Sequence, residues 1–454
     1  MMKTYEGYVP TGIRWNAEMP SHWDCDKAKR YFDNPKVINK DGKETNVLSL
    51  TLKGVIRNDV NHPIGLAPAD YATYQLFDKD ELVFKLIDLE NISTSRVGIV
   101  WERGIMSSAY IRLRPRTKLN LRYFYYQYFD WYKRNIFNGL GAGVRQTLSA
   151  ADLVNYQVVF PPIDEQDQIV RFLDWKTAEM NRVIHAKNQE IRRLKELRVI
   201  AINTAVTKGI KGSTLKKSGS SWLNEIPENW DMLPSKRLFF LRKEKAKPED
   251  EQLTASQKYG VVPQKWFMEQ EGRRVTVVFT GEDILKHVEK GDFVISMRSF
   301  QGGIEYSDYS GKISSAYVIL IPNHEYVYDR FFKWFLKSPE YIKALRGTSD
   351  LVRDGQALRY ANFAKIDLPV VPMDEQIAIA DYLDNICKRI DNAIENVKKE
   401  ISLIQELKTR TIFDVVTGKV DVRGVSIPIY EDMADEILDE DSEDAENEDE
   451  EVDE

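Results

Sequence analysis

The chain has 454 residues, of which 43% are hydrophobic and 30% charged, so it is long enough for two or three globular domains. Only two cysteines occur, Cys25 and Cys387, and no stretch has the apolar length of a membrane span or the apolar core of a signal peptide. These features argue against a disulfide framework and a membrane protein, and they predict a cytoplasmic location.

The net charge of −7 is unevenly distributed. Residues 431–454 contain 16 acidic residues and no Lys or Arg, so in the rest of the chain basic residues outnumber acidic ones by nine. A mildly basic body is compatible with nucleic-acid binding without requiring it. The acidic tail is predicted to be disordered, and it either improves solubility or screens the body from non-specific DNA.

Short β-branched runs bounded by Gly and Pro predict strands at 81–87, 96–101 and 109–113, and again at 274–279, 292–297 and 316–321. Aromatic-rich stretches at 122–134 and 329–337 predict helices, whose rings either pack in a core or stack on exposed bases. Long helices are predicted at 162–205 and 372–415, because acidic residues follow each initial proline and neither Pro nor Gly interrupts the sequence.

In each long helix, apolar residues recur every seven positions in two interleaved rows, a spacing that predicts a coiled-coil seam. The seam residues are Leu173, Met180, Ile184, Ile191 and Leu194 in the first helix and Leu383, Ile390, Ile394, Val397, Ile401 and Ile404 in the second. Lys187, Arg198 and Lys408 interrupt the rows, and they either set the register or face another partner. We predict antiparallel pairing within one chain, with pairing between chains as the alternative.

The chain is also an internal duplication. Three segments recur in order at shifts of 207–210 residues: 18–24 at 225–231, 104–115 at 311–322, and 162–166 at 372–376. Matches that keep one order over most of the chain predict two copies of a module, each followed by a long helix. The predicted fold class is therefore α+β, with two α/β modules separated by two long antiparallel coiled-coil helices in a pseudo-twofold internal repeat.

No catalytic signature stands out in the sequence. Gly139-Leu140-Gly141-Ala142-Gly143 resembles a cofactor-binding loop, but it follows a predicted helix and has no counterpart in the second copy. The two Cys and five His form no pair with metal-ligand spacing. We therefore expect no catalytic residue, cofactor site or metal site in this chain.

The order of opening segment, Ser-Ser-Ala-Tyr strand, Pro-x-Asp-Glu-Gln helix and second copy resembles the specificity subunit of type I restriction–modification enzymes over about residues 8–425. Residues 253–264 and 298–303 look typical of one target-recognition domain type. The resemblance implies target-recognition domain 1 (1–160), conserved spacer helix 1 (161–212), target-recognition domain 2 (213–370), conserved spacer helix 2 (371–425) and, outside the family pattern, an acidic disordered tail (426–454).

That family implies a non-catalytic subunit that recognises an asymmetric bipartite site in double-stranded DNA and scaffolds two methyltransferase (modification) subunits. Restriction (translocase) subunits would join through those partners. S-adenosylmethionine, ATP and Mg would be used by the partner subunits, with no cofactor in this chain. The alternatives are a coiled-coil interaction scaffold that binds no DNA, and a self-contained DNA methyltransferase or nuclease.

Recognition of bases needs Arg, Lys, Asn or Gln at the groove, with further basic groups at phosphates. The candidate DNA-binding residues, in polar loops beside predicted strands, are Lys53, Arg57, Arg96, Arg103, Arg145, Gln146, Gln257, Lys258, Tyr259, Arg298, Gln301 and Arg353. A solvated surface charge is the simpler interpretation of each position. By resemblance, the helix-start residues Asp164, Glu165, Gln166, Asp374, Glu375 and Gln376 are candidates for subunit docking, although helix capping alone accounts for them.

Overall fold

The structure is a computed structural model that describes residues 3–63, 68–90, 94–141, 147–272, 284–296, 299–348 and 360–430. The chain divides into two compact units, one formed by residues 1–188 and 398–454 and the other by residues 189–397. Both contain helices and strands, which confirms the α+β class. The strand predicted at 274–279 and nearly all of the predicted acidic tail lie outside the described residues. No helix in the described part of the chain is long and apolar enough to cross a membrane.

Module 1 is the part of the first unit that precedes the first long helix. Its strands are β1 (Tyr8–Ile13), β2 (Asn16–Pro20), β3 (Asp24–Lys27), β4 (Phe32–Asp33), β5 (Leu48–Thr51), β6 (Gly54–Arg57), β7 (Gln75–Phe77), β8 (Glu81–Phe84), β9 (Val97–Val100), β10 (Gly104–Met106), β11 (Ile111–Pro115) and β12 (Gln157–Phe160). Its helices are α1 (Leu121–Lys133), α2 (Ile136–Leu140) and α3 (Ala150–Asn155), with 3-10 turns at Ala28–Arg30 and Tyr71–Thr73. The long helix α4 (Ile163–Lys208) follows.

Module 2 is the corresponding part of the second unit. Its strands are β13 (Leu215–Lys217), β14 (Glu225–Pro227), β15 (Asp231–Pro234), β16 (Phe239–Leu241), β17 (Leu253–Ser256), β18 (Gly260–Pro263), β19 (Lys286–Val288), β20 (Phe293–Ile295), β21 (Glu305–Tyr306), β22 (Gly311–Ile313), β23 (Val318–Pro322) and β24 (Asp367–Val370). Its helices are α5 (Ser235–Leu238), α6 (Gln264–Glu271), α7 (Ser299–Gly302), α8 (Asp329–Phe335), α9 (Pro339–Arg346) and α10 (Tyr360–Phe363). The second long helix, α11 (Met373–Val416), follows.

The two modules repeat one antiparallel sheet topology. The four-stranded sheet has the order β4-β11-β8-β9 in module 1 and β16-β23-β20-β21 in module 2. The smaller pairs also correspond, since β5-β6, β7-β10 and β3-β12 return as β17-β18, β19-β22 and β15-β24. The duplication predicted from sequence is therefore confirmed in the fold.

The aromatic-rich helices pack in the cores of their modules. Tyr123, Phe124 and Tyr128 of α1 are fully buried, as are Phe331 and Phe335 of α8. Burial of one such side chain stabilises a fold by about 1.5–3 kcal/mol, so these rings are a main source of core stability. Of the two interpretations of these stretches, the structure supports core packing.

In the first unit, polar seam residues join the two long helices. Lys187 Nζ lies 2.9 Å from Glu400 Oε2, and Lys408 Nζ donates to Asn181 Oδ1 at 2.7 Å. From Asn181 to Lys187 the residue number increases along α4, whereas from Lys408 to Glu400, their partners, it decreases along α11. The two segments therefore run antiparallel. Burial lowers the pKa of Lys408, which makes its bond to Asn181 the main compensation for placing a charge in the seam.

The second unit has a corresponding polar contact between its own segments of these helices. Arg198 Nε of α4 lies 3.7 Å from Asp391 Oδ1 of α11. The predicted seam residues are all buried or half-buried in their own units: Leu173, Met180, Ile184, Ile191, Leu194, Leu383, Ile390, Ile394, Val397, Ile401 and Ile404. The residues that interrupt the apolar rows thus set the register.

The first turn of each long helix contains a buried glutamine that bonds to its own module. Gln166 accepts from the backbone N–H of Asn120 at 2.9 Å, just before α1, and donates to the carbonyl of Pro161 at 2.8 Å. The equivalent Gln376 accepts from the backbone N–H of Tyr328, just before α8, at 2.8 Å. The amide groups therefore connect each long helix to the aromatic helix of its module.

The glutamate before each glutamine is also buried, and it bonds to the opening segment of the module. Glu165 accepts from the Tyr5 hydroxyl at 2.5 Å and lies 2.7 Å from His22 Nε2. Glu375 accepts from Asn229 Nδ2 at 2.9 Å. His22 and Asn229 are equivalent positions of the repeated opening segment. Two of the three motifs that reveal the duplication therefore recur because they bond to each other.

This burial limits the docking role predicted for the helix starts. Only Asp164 and Asp374 are exposed there, and for these two a contact with a partner stays a prediction. The other four residues, Glu165, Gln166, Glu375 and Gln376, bond inside their own modules and offer no surface to a partner. A buried bond to a group more than forty residues away is not visible in a local sequence pattern.

We expect Gln376→Ala to lower the free energy of unfolding of module 2 by about 3 kcal/mol, because it leaves several buried backbone groups without a partner. Those groups are the N–H of Tyr328 and the carbonyls of Tyr326 and Val371. The matched control is Ile377→Ala, an exposed neighbour on the same helix, which should cost less than about 1 kcal/mol. Urea unfolding followed by fluorescence compares the two; equal losses would contradict the assigned role.

Candidate nucleic-acid interface

The hairpin formed by β5 and β6 rests on a small apolar core of its own. Leu50 and Val55 are buried in that core, which is separate from the main core of module 1. The turn exposes Leu52 and Lys53, and Gly54 follows with a φ of 105°, a backbone conformation that favours glycine. The turn is therefore exposed, while the strands that carry it pack on this small core.

Arg57, the last residue of this hairpin, is oriented by two neighbours. Its Nε and Nη2 each lie 2.6 Å from one carboxylate oxygen of Glu102, and its Cζ lies 5.3 Å from the ring centre of Trp101. The indole N–H donates to the carbonyl of Val55 at 2.7 Å, so the ring is itself fixed to the hairpin. The hydrogen bonds raise the pKa of Arg57 and lower the pKa of Glu102.

Arg103 lies next to this cluster in the chain. Its Nη1 donates to Asp78 Oδ1 at 2.8 Å, and its Nε lies 3.4 Å from Glu44 Oε2. Lys53, Arg57 and Arg103 thus lie on or beside one hairpin and remain exposed. This surface of module 1 has the donors that phosphates and base edges require, and carboxylates limit the motion of Arg57 and Arg103.

The equivalent hairpin of module 2, β17–β18, carries different side chains at its turn. Tyr259 donates to Glu271 Oε1 at 2.8 Å, and Lys258 Nζ lies 3.3 Å from the same oxygen and 4.8 Å from the Tyr259 ring centre. Trp266, which is partly exposed, meets the Tyr259 ring edge-on at 5.2 Å. A cation, aromatic rings and a carboxylate are therefore grouped here too, in an unrelated arrangement of residues.

A second loop of module 2 reaches the same turn. The Gln257 side chain packs against Gly302, where a Cβ would lie 2.6 Å from Gln257 Cδ. Lys337 Nζ donates to the Gln257 carbonyl at 2.7 Å and lies 2.6 Å from Glu305 Oε2. Gln301, exposed on α7, is adjacent to Gly302. The structure therefore brings Gln257 and Gln301 to one surface.

The remaining candidates behave differently. Arg96 is only 2% exposed, and its Nη2 donates to the carbonyl of Asp88 at 3.0 Å, so it supports a loop and cannot reach a base edge in this conformation. Arg145, Gln146, Arg298 and Arg353 lie outside the described residues. Contact of the accessible candidates with DNA stays a prediction. Within the described residues, no three His, Cys, Asp or Glu side chains are grouped so that they could hold a metal ion.

Comparison with known protein families settles where this chain belongs. The family model described as the type I restriction modification DNA specificity domain matches residues 53–193 and 227–403, one match in each copy. The chain belongs to this family. The matched segments together cover most of the chain; they include the β17–β18 hairpin and both helix starts, and the first begins at Lys53 in the turn before β6.

Two similar proteins of the specificity family come from Methanocaldococcus jannaschii. One, assigned as the type I restriction enzyme MjaX specificity subunit, is 25% identical over 330 residues, which is 68% of this chain and 71% of the relative. The other, the type I restriction enzyme MjaVIII specificity subunit, is 24% identical over 343 residues, 72% of this chain and 76% of the relative.

One solved structure with the same fold is described as showing the structural basis of complex assembly and conformational transition of the type I R-M system. It is 13% identical, covers 88% of this chain and 98% of its own, and superposes with a TM-score of 0.62. At that identity the likeness establishes the fold that the specificity family shares with this chain.

The candidates chosen from the sequence include the exposed cations Arg57 and Lys258 but not the groups that hold them. Trp101, Glu102, Trp266 and Glu271 were not among the candidates. The available signal was the Trp-Glu-Arg run at 101–103 directly after β9, since an aromatic and an acidic residue beside a basic one can form such a cluster. Their partners lie across a separate hairpin, which one sequence does not show.

Glu305 predicts a pH dependence of module 2. Burial raises the pKa of Glu305 to about 7, against the opposing charges of Lys337 and Lys333. The folded state therefore binds more protons than the unfolded state between about pH 4.5 and pH 7. Stability should fall as pH rises through that window, by on the order of 3 kcal/mol in total.

We expect Glu305→Gln to remove this dependence, so that the stability of the variant relative to the wild type increases from pH 5 to about pH 7.5. Urea unfolding midpoints at several pH values measure the difference. Asp308→Asn, an exposed carboxylate three residues away, is the control and should leave the pH profile unchanged. A difference that stays constant with pH would refute the raised pKa.

Proposed function

We propose that this chain is the DNA-recognition subunit of a type I restriction–modification complex, and that modules 1 and 2 each contact one half of a bipartite site in double-stranded DNA. The observation that carries the proposal is the contrast between the equivalent hairpins. They share one position in one sheet topology, yet one turn carries Leu52 and Lys53 and the other carries Gln257, Lys258 and Tyr259. Two hairpins that have the same place in the fold but different exposed side chains support recognition of two different half-sites, and hence an asymmetric target.

The shape of the platform supports the same proposal. The major groove of B-DNA is about 12 Å wide and admits a two-stranded β-ribbon. Both hairpins are two-stranded ribbons whose turns expose basic, amide or aromatic side chains. Donors of this kind contact base edges and phosphates, and the sheet core behind each hairpin would resist displacement on binding.

We infer that the chemistry resides in partner subunits. Specificity subunits of this family are generally non-catalytic, so S-adenosylmethionine, ATP and Mg are proposed to be used by modification and restriction subunits that assemble on this chain. The alternatives, a self-contained methyltransferase or nuclease and a scaffold that binds no DNA, have no specific observation in their favour.

Exposed leucines on the long helices support docking of two modification subunits. Leu197 of α4 is 55% exposed and Leu407 of α11 is 54% exposed, and they are 210 residues apart, which makes them equivalent positions of the repeat. In the first unit, Leu403 and Val183 are also exposed, at 64% and 47%. Apolar side chains left at the surface are candidates for partner contacts, so one exposed leucine at the equivalent position of each unit supports two copies of one partner.

DNA binding by the assembled complex tests the recognition role. We expect a footprint with two unlike protected segments on either side of a tolerant spacer. The logarithm of the affinity should fall linearly with the logarithm of salt concentration, because phosphate contacts release counterions. A single contiguous short footprint, or an affinity that does not change with salt, would contradict the proposal.

The docking role has its own test. We expect Leu197→Glu and Leu407→Glu each to reduce the complex from two modification subunits to one, and the double variant to lose both; Glu keeps helix propensity while placing charge at the exposed apolar position. Native mass spectrometry reports the stoichiometry. Glu196→Gln and Glu406→Gln, equivalent exposed neighbours, are the controls. Complete assembly by the double variant would place the docking surface elsewhere.

A further inference from the structure

Arg57, Glu102 and Trp101 form a cluster of defined contacts, although the side chains of Arg57 and Trp101 are exposed. The Arg57 side chain is 68% exposed and Trp101 is 47% exposed, so neither contributes much to the core. An exposed ion pair stabilises a fold by about 0–1 kcal/mol. Fold stability alone is therefore a weak reason for one arginine to have both a carboxylate partner and a ring contact. The arrangement fixes the direction of the guanidinium and leaves it at the surface.

The geometry of the pair determines which donors remain for a ligand. Glu102 takes the Nε–H and one N–H of Nη2, through contacts of 2.6 Å each. A guanidinium has five N–H groups, so three remain, including the parallel pair on the edge formed by Nη1 and Nη2. That edge matches the O6 and N7 acceptors of guanine in the major groove, the commonest specific contact between an arginine and a base.

Module 2 supplies an independent comparison. On the equivalent hairpin, Glu271 holds Lys258 and Tyr259, and Trp266 packs against the tyrosine ring. The same kind of cluster is thus built twice from residues that are not equivalent in the repeat. Lysine is a compact charge on a flexible stem without a rigid planar pair of donors, so the second cluster does not present the edge that Arg57 presents.

We propose that Arg57 recognises a guanine in the half-site contacted by module 1, and that Glu102 and Trp101 are the positioning residues for its guanidinium. This inference rests on the proposed DNA-recognition function. Glu102 holds the guanidinium by its Nε side, and the Trp101 ring centre lies 5.3 Å from the Arg57 Cζ. Together they present the Nη1–Nη2 edge at the open end of the hairpin, opposite the turn. The cluster described on the equivalent hairpin of module 2 carries Lys258 instead, and we expect that hairpin to recognise its half-site by other contacts.

The test uses the full chain assembled with its modification subunits and a plasmid library in which both half-sites are randomised. Sequencing of methylated adenines gives the base preference at every position. We expect Arg57→Gln to reduce the preference for guanine at one position by roughly 5- to 150-fold, the range for one bidentate contact, and to leave the other half-site unchanged. Glu102→Gln should weaken the preference at that same position by a smaller factor.

Two further variants make the result decisive. Arg57→Lys keeps the charge without the rigid planar pair of donors, and it should weaken the guanine preference at that position even if Arg57→Gln yields no methylation at all. Arg30→Gln is the matched control, because Arg30 is an exposed arginine of module 1 that is bonded to a carboxylate, Asp26, away from the hairpin. It should leave every position unchanged.

An unchanged guanine preference in Arg57→Lys, or an equal loss of methylation on all sequences, would overturn the inference, since the second result marks a phosphate contact. A wild-type site without a G·C pair in the half contacted by module 1 would also overturn it. If instead the wild-type complex methylates no bipartite site that depends on this chain, the proposed function itself fails, which is a separate outcome.

Discussion

The buried Glu-Gln pair at the start of each long helix is the contact on which the rest of the structure depends. Gln166 and Gln376 bond to the backbone just before the aromatic helix of their modules, while Glu165 and Glu375 bond to the opening segments. Each buried polar group left without its partner would cost about 1–3 kcal/mol. Each helix start therefore has one stable position on its module, and the hairpin of that module is fixed relative to the helix.

This constraint separates the parts of the chain that must stay the same from those that can vary. Within the first unit, two polar contacts fix the register of the paired helix segments: Lys187 with Glu400, and Lys408 with Asn181. The bonds at the helix start fix the position of the module on its helix. None of these contacts involves the turn of hairpin β5–β6, which rests on its own small core. The turn can therefore change in sequence, as it has between the two copies, without loss of the frame that presents it.

The sequence was most informative where the evidence is local or repeated. The duplication, the aromatic helices and the heptad seam follow from spacing alone, and the structure has all three. Arg96 shows the opposite case, because a polar residue beside a strand is as compatible with a buried carbonyl-bonded arginine as with a DNA contact. Glu102 bonds to a residue 45 positions away, and a single sequence contains no signal for that pairing.

Recognition of two different DNA half-sites by the two modules is tested most directly by mapping methylated adenines across the genome of cells that contain the modification subunits, with and without this chain. We expect removal of the chain to abolish methylation at one motif made of two unlike half-sites at a constant separation. Persistence of that methylation, or a chain-dependent motif that is contiguous or has two identical halves, would contradict a specificity role with two different recognition surfaces.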